Sequence, residues 1–163
     1  MIVSEIATKM IEYSKGNLHD INHFLKVYAY AKIIGECEKL DKNTQTVLEV
    51  AAIVHDIACP LCRKKYGNTN GKYQEKEGKI LVAEFLKDTG YSEEFINHVI
   101  FLVGHHHTPN DITGLDYQIL IEADYIVNAD ESNYSKGNIN NAIEKIFKTA
   151  TGIALLRSIY APE

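Results

Sequence analysis

Apolar residues recur at intervals of three and four along most of the chain, and no stretch shows the strict two-residue alternation of a half-buried strand. Ile2, Ile6 and Met10 mark a first short amphipathic helix, stopped by Gly16-Asn17. A second helix, capped by Asp20, carries His23, Val27, Ala31 and Ile34 on one stripe. Asp41 caps a third through Val47, Leu48, Ala51 and Val54 to the adjacent pair His55-Asp56, and Pro60 argues against much continuation. Residues 63–76 are polar and hold Gly67, Asn68, Asn70 and Gly71, so they predict a loop. A fourth helix is predicted over 77–88, with Gly90 just beyond it. Ser92 caps a fifth, whose stripe is Ile96, Val99, Ile100 and Val103. The sixth, over 115–127, carries Tyr117, Leu120, Ile121 and Asp124. After a polar break at 133–138, Ile139, Ile143, Ile146 and Phe147 mark a further helix, and residues 153–160 a last one. The pattern predicts an all-α fold.

A chain of 163 residues is expected to form one domain over 1–163, large enough to bury its own core. The net charge of -5 lacks the basic footprint of a nucleic-acid duplex binder, while a small phosphorylated ligand stays compatible with it. No apolar run approaches the roughly 20 residues of a membrane span, and the N-terminus is unlike a signal peptide, so no membrane association and a cytoplasmic location are expected. The three cysteines, Cys37, Cys59 and Cys62, read as free thiols. Cys59 and Cys62 form a C-x-x-C, but a zinc site needs a second pair, so they read as thiols in a turn after a helix.

Charged and metal-capable side chains stand out on apolar faces. His23 lies on the buried stripe of its helix, His55-Asp56 closes an apolar run, and Asp124 sits on the inward stripe of the sixth helix. Burying unpaired charge is far costlier than burying a methyl group, so these groups require partners. Two imidazoles and two carboxylates from three helices suit a divalent ion, and an ion with open positions can polarise phosphorus and activate water. Of the three consecutive histidines, extending the fifth stripe by four reaches His107, whereas His105 would point away; Gly104 leaves the geometry there open. The segment with Arg63, Lys64, Lys65 and Lys72 is the most basic of the chain and reads either as a solvated loop or as a lid that meets phosphate.

The order His23, His55-Asp56, Asp124, with HDIA at a helix end, GHHHT downstream and EADYI around the last aspartate, resembles the HD-domain superfamily of metal-dependent phosphohydrolases over nearly the whole chain. That resemblance implies a helical bundle with the metal site between central helices, and His23, His55, Asp56 and Asp124 as ligands of the first ion. Two-metal members add histidines before the last aspartate; here Gln74 stands where such members have one, so one divalent ion per chain (Mn, Fe, Co, Ni, Zn or Mg) is favoured over two. On this reading Gln74 or Glu75 handles water or substrate, and His106 or His107 contacts phosphate or shuttles a proton. Some relatives carry a lysine where this chain has Cys59, which leaves Lys64, Lys65 or Lys72 to meet the substrate's charge. The expected activity is hydrolysis of a phosphate ester or anhydride of a small metabolite, a nucleotide first of all. Two other readings are a non-catalytic metal- and ligand-binding regulatory module and a di-iron oxygenase-type enzyme, the latter opposed by Gln74.

Overall fold

The structure, a computed structural model, describes residues 1–108 and 112–162. Its described residues form nine α-helices and no strand, as the hydrophobic spacing predicts: α1 (Val3–Tyr13), α2 (Leu18–Cys37), α3 (Lys42–Val54), α4 (Cys59–Tyr66), α5 (Gly71–Leu86), α6 (Glu93–Val103), α7 (Leu115–Glu131), α8 (Lys136–Lys145) and α9 (Ala150–Tyr160).

The centre of the bundle is α3. Every residue from Val47 to Val54 is buried, which requires neighbours on all sides. Helices α2, α7, α6 and α1 supply them, and α2 packs in turn on α7. Length and composition alone would let Lys42–Tyr66 cross a membrane, but 78% of its apolar window lies inside the fold. The approach of α2 to α3 is close at Gly35, where a Cβ would fall 2.1 Å from Oε1 of Gln45. Caps fix where the helices begin: Asp41 accepts from the Thr44 amide and Ser92 from the Phe95 amide, as the sequence predicts.

Several element boundaries differ from the sequence expectation, and two of the differences bear on the site. Helix α2 is capped by Asn17, whose side chain accepts from the amide of Asp20, and Asp20 lies inside the first turn. Residues 63–76 are not one loop. Pro60 occupies the first turn of α4, where its missing N–H has no partner to lose, so it starts a helix rather than preventing one. Gly67, at φ 73°, ends α4 in the left-handed region, and Asn70 caps α5 three residues later. Cys59 and Cys62 are accordingly buried free thiols on α4 rather than in a turn.

These features put three things at one end of α3. The chain turns over 55–58 between α3 and α4, His23 on α2 and Asp124 on α7 face that turn, and the end of α6 brings its histidines alongside.

Candidate metal centre

His55 and Asp56 follow the last residue of α3, so both can turn toward one point although neighbours on a helix diverge by roughly 100°. His23 meets them from α2 and Asp124 from α7. His23 Nε2 lies 3.2 Å from His55 Nε2, 3.1 Å from Asp56 Oδ2 and 3.2 Å from Asp124 Oδ1. His55 Nε2 lies 3.4 Å from Asp56 Oδ2 and 3.3 Å from Asp124 Oδ1. Two donors each about 2.1 Å from a shared ion, at tetrahedral or octahedral angles, stand about 3.0–3.4 Å apart. His23, His55 and Asp56 therefore form a group of donors within 4.8 Å of one another, and Asp124 Oδ1 stands at ligand-to-ligand distance from both imidazole nitrogens.

Outer partners hold both imidazoles. His23 Nδ1 donates to the Glu131 carboxylate, 2.9 and 3.0 Å from its two oxygens, and His55 Nδ1 donates to the Ala52 carbonyl at 2.7 Å. With Nδ1 protonated, each Nε2 lone pair is directed at the centre, the arrangement found behind metal-bound histidines. Burial disfavours the cationic form of His23, yet the hydrogen bonds it donates to Asp124 and Asp56 outweigh it and raise the group to about 10. Burial of His55 is likewise outweighed by the charges of Asp56 and Asp124, which hold it well above its usual value. Asp56 and Asp124 resist burial through the same pairing and lie well below the carboxylate range. The imidazoles and carboxylates thus stabilise one another's charged forms, a balance that a divalent cation would take over.

Of the three consecutive histidines, His106 and His107 both approach the centre. The helix stops at Val103, so the turn beyond it, and not a continued stripe, brings them there. His106 Nδ1 donates to the Val103 carbonyl at 2.6 Å, and its buried Nε2, 3.5 Å from Asp56 Oδ1, has no hydrogen-bond partner. A buried polar atom left in that state costs about 1–3 kcal/mol, so the position favours an arriving cation or proton donor. His105 turns outward as expected, with Nδ1 donating to the Phe101 carbonyl and its ring stacked on Phe101. His107 joins Asp56 and His106 in a second group of three donors within 4.8 Å of one another.

Gln74 is buried and serves His107: its amide donates to the Thr69 carbonyl at 2.6 Å, and its Oε1 lies 2.9 Å from His107 Nε2. An amide oxygen only accepts, so His107 carries its hydrogen on Nε2. Desolvation first, then the neighbouring His106, press the pKa of His107 below its usual value and keep it neutral. Glu75 turns elsewhere, accepting from the Thr108 hydroxyl at 2.6 Å. Gly71 makes the close approach of α5 to His107 feasible, since a Cβ there would stand 2.9 Å from the His107 Cβ.

The basic residues divide. A cavity of about 190 Å³ over the centre has His23, Asp56, Asp124, Gln74 and His107 in its walls, together with Arg63. Arg63 is forked onto Asp20 at 2.8 and 2.9 Å, and Lys65 is paired with Glu77 at 2.7 Å. Lys64 is exposed on α4 and stands outside that wall. Lys72 lines a neighbouring groove with Lys76, Lys79 and His107, its ammonium 5.0 Å from the Tyr73 ring centroid. Glu131 escaped sequence analysis although it continues the Asp124 stripe of α7 by seven residues.

Residues 20–144 match the model of the HD domain family. Among solved structures, a predicted HD superfamily hydrolase from an uncultured Thermotogales bacterium is similar, with a TM-score of 0.71 and 25% sequence identity, covering 97% of this chain and 84% of that one. No curated protein matches the sequence.

Proposed function

The chain belongs to the HD domain family, and from that premise we propose that it is a metal-dependent phosphohydrolase acting on a small phosphorylated metabolite, a nucleotide first of all. One observation carries this reading. The two imidazole nitrogens of His23 and His55 stand 3.2 Å apart and 3.1–3.4 Å from carboxylate oxygens of Asp56 and Asp124, beneath a cavity, and the Nε2 of His106, without a hydrogen-bond partner among the described residues, lies 3.5 Å from Asp56.

His23, His55, Asp56 and Asp124 would hold one tightly bound divalent ion of the Mn, Fe, Co, Ni, Zn or Mg class. When bound, it would supply Lewis-acid polarisation of a phosphate and activation of water. Glu131 and the Ala52 carbonyl keep the two imidazoles aimed. His106 has Nδ1 fixed on a carbonyl, so its Nε2 is the atom that exchanges a proton during the reaction. In that reaction a water oxygen bonds to phosphorus, the ester or anhydride P–O bond breaks, and the departing oxygen gains a proton. His107, kept neutral and held by Gln74, borders the phosphate position. Three donors rather than four at Asp56, His106 and His107, one of them tied to Gln74, favour a weaker second ion. Helix α9 packs on α2 and α7, which supports reading 1–163 as one HD domain.

The Thermotogales protein, described as a predicted HD superfamily hydrolase, is consistent with this assignment. The test is Asp124→Asn, which keeps the shape of the side chain and removes its charge. Phosphate release should fall at least about 100-fold with the helical fold intact. Unchanged release would remove Asp124 from the reaction.

A further inference from the structure

The cavity over the centre is bordered by Asp124 and Asn128. Asp124 and Asn128, one turn apart on α7, line both that cavity and a larger cleft of about 850 Å³ beside α7 and the α8–α9 junction. The cleft has the size of a small-molecule site. His106 and Asp124 belong to its wall, and so do the apolar side chains of Ile121, Tyr125 and Ile146. Lys145 and Lys148 line it as well.

These two lysines differ from Arg63 and Lys65 of α4. Arg63 and Lys65 are tied to Asp20 and Glu77, whereas Lys145 and Lys148 have no side-chain partner among the described residues. In a chain of net charge -5, a cleft wall with two exposed lysines and one carboxylate, Asp124, carries a net positive charge. Their backbone is firmly placed. Glu122, fully buried on α7, accepts from the amides of Lys148 and Thr149 at 3.0 and 3.2 Å and from the Thr149 hydroxyl at 2.6 Å. Gln118 adds donations to Glu122 at 2.6 Å and to the Ile146 carbonyl at 2.9 Å. A buried carboxylate held by that many donors anchors the junction to the helix that carries Asp124.

We propose that this cleft receives the body and the second anionic group of the substrate. On the phosphohydrolase reading, from which this follows, the scissile phosphate sits at the metal centre. A flat apolar body such as a nucleobase lies along Ile121, Tyr125 and Ile146, and a second phosphate meets Lys145 and Lys148. The substrate class is therefore a nucleotide with two separated phosphate groups rather than a simple monoester.

Calorimetric binding of adenosine 3′,5′-bisphosphate and of adenosine 5′-monophosphate to the metal-containing protein tests this, with phosphate release followed in parallel. Wild type should bind the bisphosphate at least about tenfold tighter than the monophosphate, and Lys145→Glu with Lys148→Glu should abolish that ratio. A remote double reversal of equal charge, Lys15→Glu with Lys26→Glu, should keep it. Equal affinities in wild type, no binding of either ligand, or a ratio that survives reversal of Lys145 and Lys148 would overturn the proposal. A ratio that behaves as described without any phosphate release would leave the cleft in place and remove the hydrolase reading instead.

Discussion

Glu131 grips the far side of the His23 ring: its two carboxylate oxygens lie 2.9 and 3.0 Å from Nδ1, while Nε2 of the same ring stands 3.1 Å from Asp56 and 3.2 Å from Asp124. A carboxylate in that position sets the tautomer and makes Nε2 a better donor to a cation. Glu131→Gln is expected to weaken divalent-metal affinity about 10- to 100-fold while leaving the helical signal unchanged. Metal titration monitored by calorimetry checks it, and unaltered affinity would reduce Glu131 to a packing role.

Gln74 fixes His107 but offers only an amide oxygen to an ion. Replacing it by histidine adds an imidazole nitrogen beside the group formed by Asp56, His106 and His107. Gln74→His is expected to raise the ion content from about one to about two per chain. Elemental analysis after dialysis decides, and a second ion already present in the wild type would contradict the one-ion reading.

The pH dependence follows from the cluster's charges. His23 is raised from 6.5 to about 10, so its pairing contributes stability fully below 6.5 and loses that contribution as pH rises through 10. Asp56 and Asp124 are held below 3.8; their contribution is present above 3.8 and is lost as pH falls through their lower folded values. The metal-free protein should therefore melt highest between these limits. A divalent ion must displace protons from His23 and His55, so its affinity should increase with pH and binding should release protons. Titrations in two buffers of different ionisation enthalpy measure that release, and affinity independent of pH would contradict it.

Gly71 begins α5 directly against His107. Alanine there would gain up to about 1 kcal/mol of helix propensity, but its Cβ would lie 2.9 Å from the His107 Cβ, an overpacking that costs about 1–3 kcal/mol. Gly71→Ala is expected to destabilise by about 1 kcal/mol in denaturant unfolding; stabilisation would show that His107 moves aside without cost.

The clustering of His23, His55, Asp56 and Asp124 is legible in the sequence because these residues interrupt or close apolar stripes. His23 shares a face with Val27, Ala31 and Ile34, and Asp124 one with Tyr117, Leu120 and Ile121. What could not be read there depends on where helices stop and on contacts distant in sequence. Pro60 was read as a breaker, yet in the first turn of α4 it is an initiator. Which of the three histidines faces the site stays open in the sequence because α6 ends at Val103, and the turn beyond it brings both His106 and His107 to Asp56. Glu131 carried a signal, the recurrence at seven residues from Asp124. Lys145 and Lys148 carried none, since the Glu122 and Gln118 contacts that bring their segment against α7 are distant in sequence.

The most direct test is the metal content of the purified protein with phosphate release from a panel of nucleotides, for wild type and His55→Ala. The account requires about one divalent ion per wild-type chain, phosphate released from at least one nucleotide, and loss of both in His55→Ala. A wild type that binds its ion and releases no phosphate, or a variant that keeps both, would contradict it.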